Sequence, residues 1–594
     1  MPLPIEDYAL LSDCQSAALV GRDGSIDWLC FPRYDSPSMF AALLGDKGDG
    51  RWYLAPLEGG EATRRYDGGS FVLVTRWVTS TGEVEVTDFM PHGNRRADVV
   101  RRVRGISGTV RMHESVRIRF GYGTATPWVR QLHDRTGPGI VAVAGPDAVV
   151  VRGPRLKASD HSHQADFDVH EGETVDLVLT WYPSYRDVPP PEDVDDLLAE
   201  TKRWWDDWSG RIEHEGPYRD AVVRSLCVLR ALTHEDTGGI AAAATTSLPE
   251  QFGGQRNWDY RYVWLRDAAL TLSVLLNHGY VSVGEEWWGW LMRAIAGDPA
   301  DVQIMYGLAG ERDLPERTLP NLAGYQGASP VRIGNGAVDQ YQADVIGEVM
   351  VALHEAREKG VRNAQHSWPS QRALMRFTEQ NWRRTDSGIW EMRGRERHFT
   401  HSRVMVWAAF DRAVKAVEQF GFDGPVDRWR QLRDEVAAEI EEHGFDRSLN
   451  SYVQSYGTKR LDASLLVLPQ VGYLKADDPR MLGTVEAIER ELLEDGLVMR
   501  YRTEGGGDGL PPGESPFLAC SFWLVEQYAA SGQREKATAL MDRLMTLAND
   551  VGLLSEEYDV EQRRQAGNTP QALSHLALVR AADAIEAGEA MRTR

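Results

Sequence analysis

The feature that most constrains this chain is a rule of connection in its C-terminal two thirds. From Pro217 onward apolar residues recur with a helical period. Twelve helices are expected, at about 217–234, 266–278, 282–296, 342–358, 368–384, 402–421, 425–444, 463–474, 478–493, 516–531, 533–549 and 571–590. From an even helix to the next odd one the chain uses only a few residues, as at 278–280, 422–424 and 476–478, with a modest exception at 359–367. From odd to even it takes long detours, at 235–265, 297–341, 385–401, 445–462, 494–515 and 550–570. Six helical hairpins whose long loops share one parity imply a closed ring of paired helices, tight at one end and elaborated at the other. Binding residues concentrate on such loops over a rigid scaffold. An open solenoid would show a recurring sequence period, and none is visible, so a barrel of about twelve helices is expected.

Up to about residue 185 the pattern is different. Short β-branched runs such as 70–77 (SFVLVTRW), 84–89 (VEVTDF), 148–151 and 174–181 (TVDLVLTW) are separated by Gly, Asp and Pro clusters, which suggests a β-sandwich-type domain. Pro189–Pro191 then break the chain, and 193–208 reads as a linking helix with Trp204, Trp205 and Trp208 on or near one side. The expected organisation is therefore multidomain, β followed by α. It comprises a β-sandwich domain over 1–190, a linker helix over 191–216 and a helical barrel over 217–594, in keeping with a chain too long for one core.

Composition narrows the partners. The 88 acidic residues outnumber 66 basic ones, and a net charge of −22 repels nucleic acid and anionic lipid but not a neutral ligand. No basic-then-apolar leader and no run of about eighteen apolar residues is present, so a cytoplasmic protein without membrane spans is expected. Cys14, Cys30, Cys227 and Cys520 form no CxxC pair, which argues against a disulfide framework. Nineteen tryptophans, many beside Arg, Asp and Glu in loop-like stretches, suit a pocket that stacks sugar rings and hydrogen-bonds their hydroxyls.

The long loops carry such residues in order. The first ends in NWDYRYVWLRD, placing Trp258, Tyr260, Trp264, Arg266 and Asp267 at a helix start. Asp267 there reads equally well as a helix cap or as part of a ligand clamp. The second loop contains Arg332 and Asn335 among glycines. The third has Trp390–Glu391 after Gly388, outside the helical period. The fifth supplies Arg500 and Tyr501, and the sixth Glu556, Glu557 and Asp559. Two carboxylates on opposite loops of one barrel mouth are what glycoside hydrolysis requires: one protonated to donate to the leaving oxygen, the other ionised to activate a water or to attack. With 88 acids in the chain, the count alone selects no pair.

At these residues the chain resembles glycoside hydrolase family 15, the glucoamylase and bacterial trehalase family. The similarity runs from DYALLSDCQSAALVGRDGSIDWLCFPRYDSPSMFAALLG through TTSLPE…NWDYRYVWLRDAAL, PVRIGNGA, SGIWEMRGRERHFTHSRVM, DGLVMRYR and FLACSFWLVE to SEEYD…GNTPQALSHLAL. The resemblance implies a β-supersandwich followed by an (α/α)6 barrel, and exo-acting hydrolysis of a terminal α-glucosyl unit with inversion to β-glucose. It puts the general acid at Glu391 and the general base at Glu556. It puts the terminal-glucose subsite at Tyr260, Trp264, Arg266, Asp267, Trp390, Arg500 and Tyr501. An inverting pair needs its carboxyls roughly 6.5–9.5 Å apart, and Glu391 should have a raised pKa.

Where fungal glucoamylases carry a second glutamate directly after the acid, this chain has Met392. That shifts the expected substrate from malto-oligosaccharides towards a short one, α,α-trehalose first, with maltose-type and isomaltose-type linkages as alternatives. Spacing alone does not separate Glu556 from Glu557 as the base. A phosphorylase on the same plan needs only the acid, so a glutamate in the base motif argues against it. A silent carbohydrate-binding protein would be expected to have lost a carboxylate or the clamp, and both are present. No cofactor is expected. Neither His161/His163 nor His398/His401 brings further ligands at metal-site spacing, so no metal is expected either. The three tryptophans of EEWWGW (285–290) read as packing between helices. The partners expected are a small oligosaccharide or disaccharide and, for assembly, further copies of the chain.

Overall fold

The computed structural model describes residues 2–134, 137–361, 366–504 and 507–590. Residues 362–365 of the connection at 359–367 and residues 505–506 of the fifth long loop lie outside these. Strands fill the chain up to Pro183. Their organiser is the long strand Ala97–Arg117, broken near Gly105 and Gly108, where the register shifts. Its first half pairs with Thr174–Pro183 and Gly82–Phe89, and its second half with Ser162–His170 and Arg51–Pro56. Glycine is required at the bend: a Cβ on Gly105 would stand 2.0 Å from the His170 carbonyl oxygen. One strand thus belongs to both sheets of a sandwich whose facing sides pack as one apolar core.

Helix α1 (Val194–Ser209) follows, started by Asp193, whose carboxylate accepts from the backbone N–H groups of Asp195 and Asp196. Its tryptophans join the two halves of the molecule. Trp204 stacks on His92 and Trp205 meets Phe71 edge-on, both on the strand side, while Trp208 stacks on Tyr280 of the helical side.

The helical part comprises α2 (Arg219–Ala231), α3 (Leu265–Asn277), α4 (Val281–Ala294), α5 (Val345–Glu358), α6 (Trp368–Asn381), α7 (Thr400–Phe420), α8 (Val426–His443), α9 (Pro479–Leu492), α10 (Leu518–Ala530), α11 (Arg534–Met545) and α12 (Ala572–Ala590). The helix expected at 463–474 is not an α-helix but a 3-10 segment, Ala463–Val467, followed by turns. Pro469 removes an N–H and crowds the preceding turn, and Gly472 takes φ 78°, so the apolar run cannot propagate.

The ring nevertheless closes. Helix α3 packs on α5, α5 on α7, α7 and α10 on the 3-10 segment, α10 on α12, and α12 back on α3. Outside them, α2 packs on α12, α4 on α3, α6 on α5 and α7, α8 on α7, α9 on the 3-10 segment and α11 on α10. Burial follows position. In α10 every residue from Leu518 to Val525 is buried, whereas α8 buries only Trp429, Leu432, Val436 and Ile440, one stripe at helical spacing. The fold is thus a β-rich N-terminal domain and an (α/α)6 barrel. Trp287 and Trp290 of EEWWGW are fully buried in this packing, and all four cysteines are free and buried. Among the described residues no helix is long and apolar enough to cross a membrane.

Candidate functional site

At the loop-bearing end a partly enclosed cavity opens, walled by aromatic and charged side chains. The first, second, third and fifth long loops supply most of its wall. The first does so through an extended strap, 257–264, whose side chains divide between two tasks. Trp258, Tyr260 and Trp264 face the cavity. Asp259 and Arg261, both fully buried, form an ion pair at 2.7 Å, and Arg261 also donates to the Ser36 carbonyl and the Tyr122 hydroxyl of the strand domain. The sandwich therefore braces the strap from behind.

Each of the two family-motif glutamates is held by an aromatic donor of that strap. The Trp264 indole N–H donates to Glu391 Oε1 at 2.5 Å, and the Tyr260 hydroxyl donates to Glu556 Oε1 at 2.7 Å. The two rings stand edge to face, 5.5 Å apart. Five residues of sequence, 260–264, thus link the carboxylates of loops three and six.

Glu391 lines the cavity on a tight turn, with its backbone N–H donating to the Gly388 carbonyl. Its φ of 57° is left-handed, a conformation costing on the order of 1–3 kcal/mol for a non-glycine residue and concentrated at functional sites. Gly388 cannot be replaced cheaply, because a Cβ there would meet the Phe399 ring at 2.8 Å. Burial raises the Glu391 pKa above the ordinary carboxylate value, against the opposing pull of the Arg266 guanidinium and the Trp264 N–H. Arg266 is itself oriented by Asp267 (Nε–Oδ1 2.9 Å) and by the Ile389 carbonyl. Helix α3 begins at Leu265, with Trp264 as its cap residue, so Asp267 is no helix cap; it lines the cavity and holds Arg266.

Glu556 stands one layer back. It is fully buried and is not part of the cavity wall; Tyr260, which is, carries its carboxylate. Its Oε2 accepts no hydrogen bond among the described residues. Gly567 (φ 75°) makes room for it, since a Cβ there would lie 2.6 Å from that oxygen. Glu557 is also fully buried but engaged elsewhere, accepting from the Ser515 N–H at 3.0 Å and lying 3.5 Å from Arg500.

The base side holds more charge than the sequence motifs pointed to. Arg500 contacts Glu250 at 2.8 Å and Glu514 at 2.6 Å, while Arg256 pairs with Asp508 at 2.6 Å. Burial, then repulsion from Glu250, pushes Glu556 up to about 8, with Arg500 and the Tyr260 hydroxyl pulling down. Burial raises Glu514 and Glu557 as well. Glu514, Glu556 and Glu557, packed beside Arg500, lose their protons as a group rather than singly.

Trp390 lines the cavity, its N–H donating to Asp462 of the fourth loop at 2.8 Å and its ring set against Phe517 and Trp523. Tyr501 donates to Asp508 and packs with Met392, Phe399 and Trp390 as an apolar cluster in the wall. All the expected site residues except Glu556 therefore line one cavity. Glu250, Arg256, Arg393 and Asp508 line it too, although no motif role marks them in the sequence. Glu250 closes the TTSLPE motif and Glu514 sits in PPGESPF, but a charged residue in a polar loop signals nothing until folding buries it.

Three comparisons bear on this geometry. The model of glycosyl hydrolases family 15 matches residues 216–583, and that of the trehalase-like N-terminal domain matches residues 1–181. The chain is 37% identical to a protein named trehalase of Mycobacterium tuberculosis, over 97% of this chain and 89% of that one. It is 34% identical to a trehalase of Thermoplasma acidophilum, over 96% and 98%. A bacterial glucoamylase solved with acarbose shares the fold, with a TM-score of 0.75 at 12% identity, over 98% of this chain and 94% of that one.

Proposed function

The chain belongs to glycosyl hydrolase family 15 and is a glycoside hydrolase; from that premise we propose an exo-acting, inverting α-glucosidase whose substrate is α,α-trehalose. The near full-length similarity to proteins named trehalase supports the substrate. The observation that carries the mechanism is the Tyr260–Trp264 bridge, which ties two carboxylates from different loops to one cavity.

A glucosyl unit enters between the aromatic walls, with Arg266, Asp267 and the Arg500 cluster at its hydroxyls. Glu391, whose pKa burial raises, donates its proton to the glycosidic oxygen as an oxocarbenium-like transition state develops. Glu556 takes a proton from a water on the opposite face of the ring, and that water becomes the new anomeric hydroxyl of β-glucose. Glu556 is preferred to Glu557 because the cavity-lining Tyr260 hydroxyl donates to it directly, while Glu557 accepts from the Ser515 backbone and stands 3.5 Å from Arg500. The second sugar meets the part of the wall formed by Met392, Tyr501, Arg256, Arg393 and Asp508.

The test is hydrolysis of trehalose, maltose, isomaltose and maltotriose, with the released anomer followed by NMR and phosphate present or absent. Trehalose should be cleaved best, to one α- and one β-glucose at first, with no glucose 1-phosphate. Two α-glucose molecules from trehalose would overturn inversion, and a preference for maltotriose would overturn the substrate.

A further inference from the structure

Away from the cavity, four side chains converge where the segment between α1 and α2 passes the last turns of α12. His214 Nδ1 stands 2.9 Å from Glu586 Oε2 and 3.4 Å from Asp583 Oδ1. The other oxygen of Asp583 lies 3.1 Å from Nε2 of His278, at the tight turn between α3 and α4. None of the four lines the cavity.

Three features distinguish the cluster from an ordinary surface ion pair. The His214 side chain is 1% exposed, yet neither ring nitrogen makes an aligned hydrogen bond among the described residues, so Nδ1 is directed at neither neighbouring oxygen. Gly216 admits the ring at this place, since a Cβ there would stand 2.8 Å from Nε2. Asp583 and Glu586 are like charges three residues apart on one helix face, in its C-terminal turns, where both mutual repulsion and the helix dipole call for a cation.

We propose that His214 Nδ1, Asp583 and Glu586 form a binding site for a divalent transition-metal ion of the zinc type. Ligand atoms about 2.0–2.1 Å from a tetrahedral ion stand roughly 3.3–3.4 Å apart; Nδ1 lies 2.9 and 3.4 Å from the two carboxylate oxygens, and all three ligand atoms lie within 4.8 Å of one another. One imidazole with two carboxylates is a donor set such an ion accepts. His278, bonded to the second oxygen of Asp583, is a positioning residue that orients this ligand. The bound ion pins the segment leaving the strand domain to the helix that closes the barrel, a stabilising role separate from sugar chemistry.

The test titrates chelator-treated full-length chain with Zn²⁺ by calorimetry and, for direct coordination, with Co²⁺ by visible absorption. Wild type should bind one equivalent at this site, develop a d–d band and unfold at a higher temperature with Zn²⁺ present. His214→Asn and Glu586→Gln should each lose that equivalent and the band, and His278→Asn should bind about 10–100-fold more weakly. Glu586 is only partly buried, so Glu586→Gln keeps the test open if the His214 variant folds poorly. Wild type that takes up no zinc, or variants that bind as wild type does, would reduce the cluster to an ion-pair network and overturn the site.

Discussion

The two sides of the cavity solve the same problem, a buried carboxylate, in opposite ways. On the Glu391 side one carboxylate sits on a strained turn, met by one indole N–H and one guanidinium that is already paired to Asp267. On the Glu556 side the carboxylate is one of four, with Glu250, Glu514 and Glu557, gathered around Arg500. The first side can be tuned by a single neighbour. The second behaves as a unit in which any change redistributes protons over several groups. An acid that must hold its proton until the moment of transfer suits the isolated arrangement; the base, raised to about 8 by burial and by Glu250, must first ionise and then binds a proton more tightly than an ordinary carboxylate.

The largest test of that division removes the carboxylates. Glu391→Gln and Glu556→Gln should each lower kcat for trehalose by about 10²–10⁴-fold with the fold intact, judged by circular dichroism. α-Glucosyl fluoride, whose leaving group needs no proton, should recover much of the rate in Glu391→Gln and none in Glu556→Gln. Recovery in both, or in neither, would dissolve the distinction between the two sides.

Next in size is the cation of each side. Arg500→Met leaves several buried carboxylates facing one another and should destabilise the protein by about 3–5 kcal/mol in denaturant unfolding. Arg266→Met strands chiefly Asp267 and should cost less. The Arg500→Met penalty should grow as pH rises: the raised carboxylates stay protonated and uncharged in the folded variant at low pH, and must ionise against one another at high pH.

Smaller effects come from the aromatic donors. Tyr260→Phe should reduce kcat about 10–100-fold, the worth of a hydrogen bond to a charged group. It should also move the acidic limb of the kcat/KM profile to higher pH, because a bond favouring ionised Glu556 is lost. Trp264→Phe should instead move the alkaline limb, set by Glu391, to higher pH for the same reason. The smallest expected change is in Glu250→Gln. Deleting the main charge that raises Glu556 should shift only the acidic limb, and to lower pH. Movement of both limbs together would mean that the two sides are electrostatically one.

Much of this was legible in sequence for identifiable reasons. Helical period and connection length are local properties, so the hairpins and the parity of their loops could be read, and with them the end of the barrel that carries the site. Motif residues on the strap and the third, fifth and sixth loops could likewise be named. The expected helix at 463–474 failed where apolar period competed with Pro469 and Gly472, and backbone geometry overruled the pattern. Glu250, Arg256, Asp508 and Glu514 carry no such pattern. Their importance comes from burial beside a partner far away in the chain, such as the pairing of Arg500 with Glu250 across 250 positions.

By itself the sequence determined most strands and helices, the segment at 463–474 excepted, and which loops face one way, because hydrophobic periodicity is set within a turn or two of chain. Only the tertiary structure decided that Tyr260 and Trp264 each take one glutamate, that Asp267 serves Arg266 rather than a helix end, and that Glu556 lies behind the wall. Those outcomes depend on distances between loops and on the desolvation that comes with them, and both exist only once the ring has closed.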